Sequence, residues 1–309
     1  MRTHTLAPPH LHDRWNAALP PALEIDSGDV VEFACLDSSG AQMHPDATLE
    51  DFLRMDRGRI HTLTGPVLVK GAQPGDVLEI GIREVRHRGW GWSSILPGLG
   101  AHPERFPGPF LFHWKLDGDL TRSLPGVTVP LAPFLGILGV CPAEPGEHRT
   151  RPPGPFGGNL DVRDLVPGAR LFLPVFQPGA LFSAGDGHAA QGNGEVCING
   201  IEAPMDAVFQ LTLHRGRTLR EPFAELPPAR PPGLPDRGGL AFIASDPDPR
   251  AAVRRVIDAA VDWTVAGTAL TPEQAYVLCS VALDLRLSQV VNVPMITVTG
   301  TLARALFIS

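Results

Sequence analysis

Gly65-Pro-Val-Leu-Val-Lys-Gly-Ala-Gln-Pro-Gly-Asp-Val-Leu-Glu-Ile-Gly-Ile82 holds two β-favouring runs, at 65–69 and 77–82, on either side of a Pro74-Gly75-Asp76 turn. Proline and glycine supply the turn, and aliphatic and β-branched side chains fill the runs. In the second run Val77, Glu79 and Gly81 alternate with Leu78, Ile80 and Ile82, so one face is turned to a core. The same grammar recurs at 30–35, entered through Ser27-Gly28-Asp29, at 169–175 and at 208–214. Together 33 glycines and 33 prolines in 309 residues argue for many short strands and against a helical bundle.

Outward from these strands the text is less uniform. A short helix is expected over 48–55, with Thr48 as its N-cap and Asp51 three positions on. The apolar stretch 125–138 contains Pro130 and Pro133 and reads as poor material for a central strand. The Pro/Gly-rich stretch 142–158 reads as a loop, and 225–239, with five prolines, as a linker. Beyond it, Asp248-Pro249 opens a helix whose stripe is Val253, Val256, Ile257, Ala260 and Val261. Thr271-Pro-Glu-Gln274 opens a second, and 290–298 reads as a last strand. The expected fold is therefore mainly β, sandwich- or barrel-like, with a smaller C-terminal α+β portion. The boundaries fall at 1–224 for the β-rich catalytic core, 225–239 for the linker and 240–309 for the C-terminal segment.

The net charge of −7, with both signs interspersed, gives no footprint for nucleic acid or for an anionic membrane. Cys35, Cys141, Cys197 and Cys279 stand singly and read as buried thiols in a reducing compartment. The N-terminus carries His4, His10 and His12 where an apolar signal core would lie, so the expected location is cytoplasmic. That histidine group is read as part of a mobile terminus rather than a site.

Chemistry concentrates in Gly179-Ala-Leu-Phe-Ser-Ala-Gly-Asp186-Gly-His188-Ala-Ala-Gln191-Gly-Asn-Gly194-Glu195, where polar groups are spaced by small residues. Asp186 and His188, two apart, point the same way on an extended segment. Imidazole with carboxylates suits a divalent ion, and a carboxylate left over can serve as a base. The competing structural reading is a surface hairpin whose Asp and Asn cap turns. Gly157-Gly158-Asn159-Leu160-Asp161 is a second cluster, which an ordinary tight turn would also explain. His61 and His113 are weaker candidates. Only two lysines, Lys70 and Lys115, are present, neither in the surroundings that Cys-Glu-Lys or Ser-Ser-Lys amidases need. There is no Gly-x-Ser-x-Gly elbow and no phosphate-binding loop.

Four segments together, 63–76, 156–161, 178–195 and 285–292, resemble the acetamidase/formamidase family, in that family's order. The resemblance implies a metal-dependent hydrolase of small carboxamides, cyclic amides among them, releasing carboxylate and ammonia. Carried over by position, Asp161, Asp186 and His188 are the metal ligands and Glu195 the general acid/base. Asn159, Gln191 and Gly158 fall in the substrate-binding set. Zinc is the first choice of ion, with manganese or calcium also admitted. The expected partners are a small amide and further copies of the chain, as a homodimer or larger homo-oligomer. The alternative is a metal- or ligand-binding β protein that keeps the fold without amidase activity.

Overall fold

The computed structural model describes residues 1–307 except 126, 228–237, 271, 273, 274, 277, 278, 280 and 281. Two large sheets carry the molecule. The first has nine strands, in the order Thr3–Leu6, Asp29–Cys35, Met205–His214, Val77–His87, Arg170–Pro174, Phe223–Leu226, Gly239–Asp246, Ile296–Ala303, Asp284–Gln289. The second runs Gly157–Asn159, Phe134–Gly139, Phe182–His188, Leu63–Val69, Leu11–His12, with Leu23–Ile25 lying parallel to Leu63–Val69. The sheets face each other across a core in which Phe33 meets Phe182 at 5.7 Å between ring centres and Phe209 at 5.3 Å, both edge to face. The mainly β class read from the turn-punctuated runs is the class observed, and strands from both sides of 225–239 share one sheet.

Helices are few. Thr48 caps Leu49–Arg54 and exchanges hydrogen bonds with Asp51 in a capping box. Asp248 accepts from the Arg250 N–H to cap Pro249–Gly267, whose buried Ala252, Val256 and Ala260 lie on Phe242, Val298 and Leu302 of the first sheet. A separate cluster of Met43, Phe52, Met55 and Trp92 packs the short helix beside the Trp90–Ile95 and Phe110–Lys115 hairpin.

Several expectations are corrected. Phe134–Gly139 is an inner strand, paired on both sides, because it starts just after Pro133 and so retains every ladder N–H. The last strands are Asp284–Gln289 and Ile296–Ala303, with a turn at 290–295 in which the Met295 N–H bonds to the Asn292 carbonyl. The N-terminus is not loose: Thr3–Leu6 pairs with Asp29–Cys35, Leu11–His12 pairs with Leu63–Val69, and His4 bonds Asp29 at 2.9 Å. Cys197 is exposed, while the other three cysteines are buried. Most of the proline-rich segment and the start of the second C-terminal helix lie outside the described residues. No helix among the described residues is long and apolar enough to cross a membrane.

Candidate metal centre

Asp186 and His188 end the Phe182–His188 strand, which is buried along its whole length, so this segment is no surface hairpin. Asp161 arrives from the turn after Gly157–Asn159, where the main-chain N–H groups of Leu160 and Asp161 both donate to the Gly136 carbonyl. Glu195 comes from the loop that follows. Asp161, Asp186 and Glu195 hold left-handed backbone, with φ of 51°, 59° and 50°. Such conformations cost an ordinary residue of order 1–3 kcal/mol, and they cluster where function demands them.

The ladder between Phe134–Gly139 and Phe182–His188 skips position 136, which leaves room for the acids. A Cβ on Gly136 would stand 2.4 Å from Asp161 Oδ1 and 2.9 Å from Asp186 Oδ2. Only glycine lets both carboxylates sit there.

The amide group of Gln191 organises the imidazole. Its Nε2 donates to the carbonyls of Asp161 (3.0 Å) and Ser288 (3.3 Å), so its Oε1 must face His188 Nδ1, at 2.7 Å. His188 therefore carries its proton on Nδ1 and presents Nε2 to the carboxylates. From Nε2, Glu202 Oε1 lies at 2.9 Å, Asp186 Oδ1 at 3.6 Å and Glu195 Oε1 at 3.9 Å. Asp161 Oδ1 is 3.9 Å from Nδ1. His61 Nε2 approaches Asp186 Oδ1 at 3.9 Å.

Two donor groups thus form, Asp161, Asp186 and His188 in one and His188, Glu195 and Glu202 in the other, each with ligand atoms within 4.8 Å of one another. All five residues are buried. Asp161 Oδ1, Asp186 Oδ1, His188 Nε2, Glu195 Oε2, Glu202 Oε2 and Asn159 Oδ1 form no hydrogen bond among the described residues. Stranded acceptors of this kind are costly in a dry interior, and a cation satisfies them together. The buried acidic and imidazole cluster could hold a metal ion.

The electrostatics agree. Burial and the neighbouring Asp186 push the Asp161 carboxyl up to about 7. Burial likewise lifts Glu202 to about 7 against the pull of His188, and raises Glu195 well above the usual carboxylate range, with Asp161 adding to it. For Asp186 burial is outweighed by His61 and His188, which hold it at about 2. Burial disfavours the charged form of His188, yet Glu202 and Asp186 raise its pKa well above the ordinary value. Asp161, Glu195, Glu202 and His188 thus retain protons that a divalent ion would displace.

The structure brings together Asp161, Asp186, His188 and Glu195, with Gln191 behind the imidazole and Asn159 buried at the end of Gly157–Asn159, two positions before Asp161. Both amide hydrogens of Gln191 are spent on main chain, so what it does in this geometry is fix His188. Gly158, at φ 78°, backs onto the Phe156 ring. His61 adjoins the cluster, whereas His113 bonds the Ala47 carbonyl at 2.7 Å and does not. Sequence reading missed Glu202, which stands alone among apolar neighbours and reaches the site through isolated bridges to Trp92 and His188. It assigned no role to Asn292, whose Nδ2 donates to Asp161 Oδ2 at 2.6 Å, although the 285–292 motif contains it.

A model of the acetamidase/formamidase family matches residues 2–146 and 143–309. The chain is 26% identical over 247 residues to the acetamidase of Mycolicibacterium smegmatis, covering 60% of this chain and 61% of that protein. It spans about three-fifths of the length of the curated relatives it matches. The crystal structure of the Bacillus halodurans acetamidase superposes with a TM-score of 0.89 at 32% identity, covering 98% of each chain. The gamma lactamase of Delftia acidovorans superposes with a TM-score of 0.70 at 26% identity, covering 98% of this chain and 93% of the other.

Proposed function

The chain belongs to the acetamidase/formamidase family, and from that membership we propose that it hydrolyses small carboxamides to a carboxylate and ammonia, with Asp161, Asp186 and His188 holding a divalent cation. The observation that carries this reading is the set of stranded buried acceptors converging beside His188. One imidazole with several carboxylates suits zinc first and admits manganese or calcium. A divalent cation held by these residues would supply Lewis-acid chemistry, lowering the pKa of a water from 15.7 to about 7.

The remaining roles fall to the chain itself. Gln191 holds the Nδ1 proton of His188 and keeps the ring turned so that Nε2 faces the carboxylates, which raises the basicity of Nε2 as a ligand. Glu195 takes the proton of the attacking water and delivers it to the departing nitrogen, and its raised pKa suits a group that must hold a proton near neutrality. Asn159 turns its side-chain amide to the developing oxyanion. Gly158 leaves the main chain beside it bare. The lactamase relative supports cyclic amides as substrates alongside acyclic ones. The same reading carries a cytoplasmic location and a homo-oligomer, which light scattering on the purified protein measures.

Ammonia release from formamide, acetamide and a small lactam tests the activity. In Glu195→Gln the bound metal should remain while turnover drops by about a hundredfold or more; hydrolysis by this variant at the unaltered rate would remove Glu195 from its role. A metal-binding protein without activity would bind an ion at His188 and release no ammonia from any of the three.

A further inference from the structure

Beside the cluster a cavity of about 290 Å³ opens between the short N-terminal helix and the Trp90–Ile95 strand. Its inner end is formed by Glu202 and His61, whose side chains reach His188 and Asp186 and so join the cavity to the cluster. Its walls carry Phe52, Trp92, Leu96 and Leu99, with Ser38, Ser94 and Asn199 among them. A four-heavy-atom amide displaces only a few waters, at about 30 Å³ each in the liquid, and would leave most of this space unfilled.

The outer end is cationic. Arg57, exposed, and Arg151, half-buried, both line the cavity, and neither forms an ion pair with an acidic group among the described residues. Arg57 is pinned: its guanidinium lies 4.5 Å from the centre of the Phe52 ring and its Nη2 donates to the Phe52 carbonyl at 2.9 Å. Arg151 follows Thr150, whose Oγ1 accepts from the His61 N–H at 3.0 Å, which ties the cation to the inner end of the same cavity. Burial and then the charge of Arg151 lower the pKa of Arg57. Two cations without an acidic partner in one cavity are matched by an anion, and a guanidinium fork fits a carboxylate.

We infer that the preferred substrate is a carboxamide with a carboxylate at the far end of a short apolar body, the amide at Glu202 and His61 and the carboxylate at Arg57 and Arg151. The inference rests on the amidase reading for its chemistry, but its recognition half stands apart from turnover. In the hydrolysis water adds to the carbonyl, the C–N bond breaks, and the nitrogen leaves as ammonia with the proton supplied through Glu195.

The test compares matched pairs, glutaramate with pentanamide and 4-carbamoylbenzoate with benzamide, in the wild type, Arg151→Gln and Arg151→Glu. The kcat/KM ratio of carboxylated to neutral amide should exceed about tenfold in the wild type, mostly through KM, and decline with added salt. Arg151→Gln should cut that ratio about tenfold, and Arg151→Glu should shift the preference to the cationic 5-aminopentanamide. Binding of the same compounds by calorimetry should follow the same order. A wild-type ratio near one, or a ratio unmoved by both substitutions, overturns the inference. Should no amide be cleaved by any protein, the amidase reading fails, and the calorimetric preference alone decides the recognition claim.

Discussion

Gly136 and Gln191 shape the centre without supplying a ligand. Replacing Gly136 with alanine sets a methyl group 2.4 Å from Asp161 Oδ1, so both aspartates must move. Gly136→Ala should lower metal affinity and amide turnover by at least about tenfold, with far-UV dichroism unchanged, as metal titration and ammonia release will read. Gln191→Leu frees the His188 ring and should weaken metal binding about 10–100-fold, measured by competition with a chromogenic chelator; unaltered affinity would detach Gln191 from the imidazole. At this scale the sequence was most informative where polar residues sit close together. Asp186 and His188 lie two apart on one strand, and small neighbours admit the main chain on both sides. Glu202 was not legible, because Ile201 and Ala203 flank it and only sheet bridges distant in sequence carry it to His188.

Among the elements, local signals read well and non-local ones poorly. The Thr48 and Asp248 caps depend on residues within one helical turn, and both form as expected. Thr48→Ala should destabilise the protein by about 1 kcal/mol, seen as a lower urea midpoint with an unchanged slope. Phe134–Gly139 was obscured by the prolines before it, although ladder pairing needs only the N–H groups from 134 onward. Asp284–Gln289 was missed for a different reason: it exposes Leu285 and Leu287 while burying Ser288 and Gln289, which inverts the pattern that normally marks a half-buried strand. Those buried polar residues are used by the site. The Ser288 carbonyl accepts from Gln191, and Gln289 Oε1 accepts from the Asn292 N–H, which sets the side chain that bonds Asp161.

Across the whole molecule, two sheets and the C-terminal segment close over one set of buried charges, so metal, protons and stability are linked. Without metal, Asp161 and Glu202 keep their protons up to about 7, whereas the unfolded chain releases them near about pH 4. The folded protein then holds more protons than the unfolded one across that window, and its stability falls as pH rises through it. The raised pKa of His188 acts in the same direction, with stability present below its unfolded value and lost as pH climbs through the folded one. A cation replaces those protons and binds more tightly as they leave. The gap in Tm between metal-loaded and chelator-treated protein should therefore widen from pH 5 to pH 7, and a constant gap would contradict this linkage. The claim on which the chemistry turns is that the Asp161, Asp186 and His188 cluster holds the ion that activates water. Metal content by mass spectrometry, measured on the same samples as ammonia release from acetamide and glutaramate, tests it before and after chelation and after refilling with zinc or manganese. Metal and turnover should be lost together and restored together, and neither should return in His188→Ala; chelated protein that is free of metal yet releases ammonia at its original rate would contradict it.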